Sequence, residues 1–142
     1  GMHVVCGGTT SQLLCRVLDR QLHVSMEYMD PEIPPTARVE GMDLVTEGVL
    51  TLSKALEYVE DFCEEGGKAS GMAAIRGQNG AAQLARLLVE DCTKAHIMLG
   101  MARNPAHQNP GLPLAFDIKQ RILNDLARCL RSMGKEVEIE TY

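Results

Sequence analysis

At 142 residues the chain has the length of one domain, long enough to bury a core without disulfide or metal staples. A hydrophobic fraction of 45% and a charged fraction of 23% exclude wholesale disorder. The net charge of −5, with Lys and Arg scattered rather than striped, excludes the basic face that a phosphate backbone requires, so nucleic acid is not expected as a partner.

Aromatic residues make up only 4% of the chain and Trp is absent, which leaves the core to Leu, Val, Ile, Met and Ala. That mixture suits helices on a Val/Ile-rich sheet better than a sandwich. The five cysteines (Cys6, Cys15, Cys63, Cys92 and Cys129) are odd in number, widely spaced and without a C-x-x-C. They read as small apolar residues of a reducing compartment, so a cytoplasmic protein is expected. No apolar run approaches the ~20 residues of a membrane span, and no signal peptide is expected. Gly1 ahead of Met2 resembles an expression remnant, and the early first strand suggests a domain excised from a longer protein.

In chain order, His3 to Cys6 is a short apolar strand closed by Gly7-Gly8. Thr9, Thr10 and Ser11 offer hydroxyl caps to a helix running to about Gln21, with Leu13, Leu14, Val17 and Leu18 on one face. Leu22 to Tyr28 alternates with period 2 and predicts a second strand. Asp30 to Pro35 is proline-rich and irregular. A helix from near Thr46 sets Val49, Leu52, Leu56 and Val59 on one stripe. The glycine-rich stretch from Glu64 to Gly80 predicts a mobile loop. Ala81 to Ala95 is predicted as a third helix, and Ile97 to Ala102 as the third strand.

Asn104 to Pro113 is a second proline-rich turn region. Asp117 and Gln120 make a capping box for a last helix carrying Ile122, Leu123, Leu126, Leu130 and Met133, which Gly134 ends as a left-handed cap. Glu136 to Tyr142 alternates like a half-exposed edge strand. The order β-α-β-α-α-β-α-β predicts one Rossmann-like α/β/α domain over residues 1–142. Its four strands, mostly parallel, are expected in the order 2-1-3-4.

In such a sheet ligands bind beyond the carboxyl ends of the strands, where strand order reverses. The loops expected there are chemically distinctive. Gly7, Gly8, Thr9, Thr10 and Ser11 can curl several N–H groups into one concavity at a helix N-terminus, which suits phosphate or carboxylate. A tight turn with simple hydroxyl capping explains the same residues equally well. Arg103, Asn104, His107, Gln108 and Asn109, framed by Pro105 and Pro110, present many donors and acceptors in a rigid shape. They are read as ligand-contacting, although His107 alone is read first as a structural residue. Thr46, Glu47 and Thr51 frame the site from the next helix; for Glu47 alone the helix dipole is explanation enough. Glu27 and Asp30 lie about where a dinucleotide fold keeps its ribose-binding acid, without the matching glycine pattern. No metal motif or G-x-S-x-G elbow is present, and no cofactor is indicated.

Four separated segments resemble one family. They are Cys6 to Ser11, Asp30 to Pro35, Glu40 to Leu52 and Asn104 to Pro110. Together they are similar to the region following the catalytic domain in bacterial type 2C serine/threonine phosphatases like stage II sporulation protein E. The resemblance implies attachment in cis to a metal-dependent phosphatase domain, with this segment as its accessory domain. It does not imply phosphatase catalysis here, because the Asp-Gly metal-binding element is missing.

The leading expectation is a regulatory module that binds a small anion over Gly7 to Ser11. One rival is a small enzyme with His107 as acid/base, the Gly7 to Thr10 amides stabilising an oxyanion and Thr9 or Thr10 as a nucleophile. The other is a dimerisation or interaction domain without a ligand, and homo-oligomerisation is open in each case.

Overall fold

The computed structural model describes residues 1–27, 30–66, 69–100 and 114–142, the side chains of 69–70 and 114–117 excepted. Along the chain lie β1 (Val4–Cys6), α1 (Gly8–Leu18), β2 (His23–Val24), β3 (Ala37–Arg38), β4 (Leu44–Thr46), α2 (Val49–Glu64) and α3 (Ala69–Ile75). Then come α4 (Gly80–Arg86), which runs on into a π-helical turn (Leu87–Asp91), β5 (Lys94–Leu99), α5 (Leu114–Ser132) and β6 (Glu136–Thr141). The class is mixed α/β, as the alternating patterns predict.

The strand order differs from the expected 2-1-3-4. Among the described residues a four-stranded sheet runs β1-β4-β3-β2, and β5 pairs with β6 in a second sheet. The first sheet is mixed: β1 and β4 are parallel, whereas β3 is antiparallel to both β4 and β2. The neighbour of β1 is therefore Leu44–Thr46, a stretch predicted to lie before or within a helix. Three apolar residues are too few to show a strand period, yet all three are buried. Of the predicted second strand, among the described residues only His23 and Val24 pair with β3, and its expected end at Tyr28 lies outside them. Met26, on the same alternation, is 90% exposed.

Two further expectations change. The stretch predicted as a mobile loop contains α3, and the Glu65 carboxylate accepts a hydrogen bond from the Gly71 amide at 2.7 Å. A Cβ on Gly71 would stand 3.0 Å from the Phe62 Cα, so the glycine there serves close helix approach rather than disorder. The predicted third strand begins three residues early, at Lys94, and its expected end at Ala102 lies outside the described residues. At the chain's end the reading holds. Gly134 has φ 80°, and the Lys135 amide bonds back to the Leu130 carbonyl at 3.1 Å, closing α5 with a left-handed cap.

Packing follows from these patterns. On β5 and β6, Ala95, Leu99 and Val137 turn inward, while Lys94, His96, Met98, Glu136, Glu138 and Glu140 face out. The register sets Lys94 opposite Glu136, and its ammonium reaches Glu138 at 3.1 Å. The inward residues pack with Val59 of α2, Ala85 of α4 and Leu126 and Leu130 of α5. A contiguous cluster joins Leu44 of β4 to Leu52, Ala55, Leu84, Leu99, Ile122 and Leu123, tying both sheets to the same helices. A smaller cluster, Val5, Cys15, Val39 and Val45, seats α1 on the opposite face of the first sheet. Among the cysteines only Cys15 is buried; the other four are partly exposed, and all five are free thiols.

Candidate functional site

Two helices start side by side at the carboxyl ends of β1 and β4. Gly7 donates its amide to the Thr46 carbonyl at 2.9 Å, prolonging the β1–β4 ladder by one bond. It then turns sharply, with φ 134°, a conformation that side chains resist, and α1 begins at Gly8. On the neighbouring strand Glu47 and Gly48 turn into α2. A Cβ on Gly48 would lie 3.7 Å from the Gly7 Cα, so the two entry turns touch. Neither N-cap residue caps its helix with a side chain, and at α2 this leaves first-turn N–H groups for other partners.

The two N-termini are compensated differently. A Cβ on Gly8 would stand 3.4 Å from Oε1 of Glu47, so a carboxylate already lies over the first turn of α1. Beside the start of α2 lies instead the ammonium of Lys119: its Nζ and Cε are both 3.7 Å from the Cβ position of Gly48. A cation at a helix N-terminus opposes the macrodipole, by about 0.3–1 kcal/mol. Lys119 forms no ion pair with any described residue. In the same first turn of α2, Thr51 is fully buried and its Oγ1 has no hydrogen-bond partner among the described residues. The ammonium of Lys119 thus stands beside an uncapped helix start, with the Glu47 carboxylate on the neighbouring one.

The predicted site residues sort themselves clearly. Gly7, Gly8, Thr46, Glu47 and Thr51 do come together. Two hydroxyls are already committed: Ser11 is buried and donates to the Gly7 carbonyl at 2.7 Å, and Thr46 donates to the Glu47 carbonyl at 2.9 Å. Thr9 and Thr10 stand on the exposed side of α1. Arg103, Asn104, His107, Gln108 and Asn109 lie outside the described residues. Asp30 is absorbed by its own turn, accepting from the Glu32 amide at 2.9 Å. Of the two glycines Gly7 is the constrained one; Gly8 has ordinary backbone geometry and meets only the end of the Glu47 side chain.

Sequence reasoning missed Lys119. It sits more than 70 residues from Gly48, in a helix whose neighbours no local pattern reveals. Cys6, at the end of β1, also borders the site. Burial pushes its thiol above the ordinary 9.0, while the Thr46 hydroxyl and the Lys119 charge pull it back down. A cavity of about 40 Å³ lies beneath Gly8, Ser11, Thr46 and Glu47. It has room for a few waters, so a larger ligand would lie over the helix ends.

Among the described residues no group of three or more His, Cys, Asp or Glu could hold a metal, and no helix is long and apolar enough to cross a membrane. Comparison with protein-family models, with curated proteins and with solved structures finds no match to this chain.

Proposed function

We propose that this chain is a regulatory, ligand-sensing domain that binds a small phosphate- or carboxylate-bearing anion at the start of α2. The observation that carries the reading is Lys119, a cation without an acidic partner among the described residues, beside an uncapped helix N-terminus. An anion placed there would satisfy the lysine, the first-turn amides and the helix dipole together. The Glu47 carboxylate over α1 directs the anion to α2, because the other N-terminus is already compensated.

The segments quoted above support the further reading that the domain is an accessory unit carried in cis by a type 2C-like phosphatase in the cytoplasm. α1 is suited to relay occupancy to such a partner. It starts at the site and leaves Leu13, Val17 and Leu18 exposed along its flank. Helices on both faces of β1 and β4 support a three-layer arrangement.

Isothermal titration with inorganic phosphate and with succinate tests the proposal. Saturable binding is expected for the native chain, weakened roughly tenfold or more in Lys119→Gln. Absence of heat with either anion, or equal affinity in the variant, would remove the proposal.

A further inference from the structure

A larger cleft, away from Lys119, opens between the β2–β3 ribbon and the start of α4. Its volume is about 540 Å³, within the range of small-molecule sites. One wall holds Arg38 and His23, directly opposite each other in the antiparallel ladder and so on one face. In a chain with 19 acidic and 14 basic residues, Arg38 has no ion pair with any described residue, whereas nearby Arg20 is held by Glu40. Of the residues that line the cleft only Glu27 is acidic.

The facing wall adds donors. Asn79 uses its Oδ1 to cap α4, accepting from the Ala82 amide at 2.8 Å, and this leaves its NH₂ group to donate. The inner end is closed by contact: a Cβ on Gly80 would stand 3.0 Å from the Thr36 methyl and 3.3 Å from that of Thr46. α4 can therefore reach the sheet only with glycine at this position. The floor is apolar, built by buried Ile33 with the rigid Pro34 and Pro35.

We infer that this cleft is a second binding site, for a small organic molecule bearing a carboxylate. The guanidinium of Arg38 offers the planar fork that matches a carboxylate, with His23 and Asn79 as neighbouring donors. The apolar floor takes the carbon body, which bare inorganic phosphate lacks. The cleft shares Val24 and Pro35 with the small cavity beneath Gly8, but its donors, Arg38, His23 and Asn79, do not line that cavity and Lys119 does not line the cleft.

Amide-resolved NMR titration of the full chain with benzoate, up to about 10 mM, is the test. The expected result is saturable shifts in residues 23–27, 33–38 and 78–83, lost or weakened roughly tenfold in Arg38→Gln and unchanged in Lys119→Gln. Inorganic phosphate is expected to leave these residues unmoved. Arg38 is exposed, so its replacement is not expected to unfold the chain. No shift with benzoate, shifts that survive Arg38→Gln, or shifts confined to Gly7 and Gly48 would each overturn the inference.

Discussion

The two faces of the first sheet are built to different standards. On one face lie α2 and α4, which interlock with α5 and carry the core on to β5 and β6: Ala55, Val59, Ala85, Ala127 and Leu130 are wholly sealed from solvent. On the other, α1 is the one helix among the described residues, burying Ser11 and Cys15 while Val17 remains 72% exposed. The difference shows which part carries the fold and which is available to move or to dock. The candidate site lies on the seam between them, where α1 from the thin face and α2 from the dense face begin side by side. A ligand bridging that seam is placed to link a rigid scaffold to a lightly held helix.

Substitutions can break or sharpen this contrast. The largest effect is expected for Leu130→Ala, which empties a sealed position of the dense face and should cost about 2–5 kcal/mol. Val17→Ala, also an apolar truncation but on the thin face, should stay within about 0.5 kcal/mol. Urea unfolding of both variants checks the pair, and similar losses would refute the asymmetry. A smaller effect of opposite sign is expected at the seam. Thr51→Val keeps the shape and removes a buried hydroxyl that has no partner among the described residues, so anion-free stability should rise by up to about 1 kcal/mol. A clear loss of stability would mean that the hydroxyl is bonded.

The smallest effect concerns Cys6. Its protonated thiol is favoured by burial, so alkylation should be slow near neutral pH and accelerate only as pH rises past the ordinary 9.0. The linked stability has the same direction. A thiol whose folded pKa is raised contributes fully below 9.0 and loses that contribution as pH climbs through the folded value. Because the Lys119 charge favours the thiolate, Lys119→Gln should slow Cys6 alkylation further. Unchanged or faster modification, followed by mass spectrometry of the Cys6 peptide, would place the ammonium away from the thiol.

Much of this arrangement is legible in the residues, and the rest is hidden for identifiable reasons. The Gly134 cap, the alternation of β6 and the turn at Gly7 are local signals that form as predicted, whereas α5 starts at Leu114, so that Asp117 of the expected capping box lies inside the helix. Thr46, Glu47 and Thr51, read as framing the glycine turn from the next helix, lie beside it by another route, at the end of a strand that the periodicity does not predict. The partnership of β1 with Leu44–Thr46 was not legible, because a three-residue strand has no period and its pairing is long-range. For the same reason the lysine that completes the site could not be read from its neighbours. Gly71 and Gly80 misled in another way. Their purpose is close contact with Phe62 and Thr36, which composition alone renders as loop.

At the start of α2, where Lys119 has no acidic partner among the described residues, an anion is proposed to bind. A ¹⁵N–¹H titration of the native chain with inorganic phosphate tests this first. Saturable shifts are expected, centred on the amides of Gly48, Val49, Leu50 and Thr51, with smaller ones at Gly7, and they should be lost in Lys119→Gln. Shifts centred instead on Gly8 to Ser11, or none at these positions in a folded sample, would contradict it.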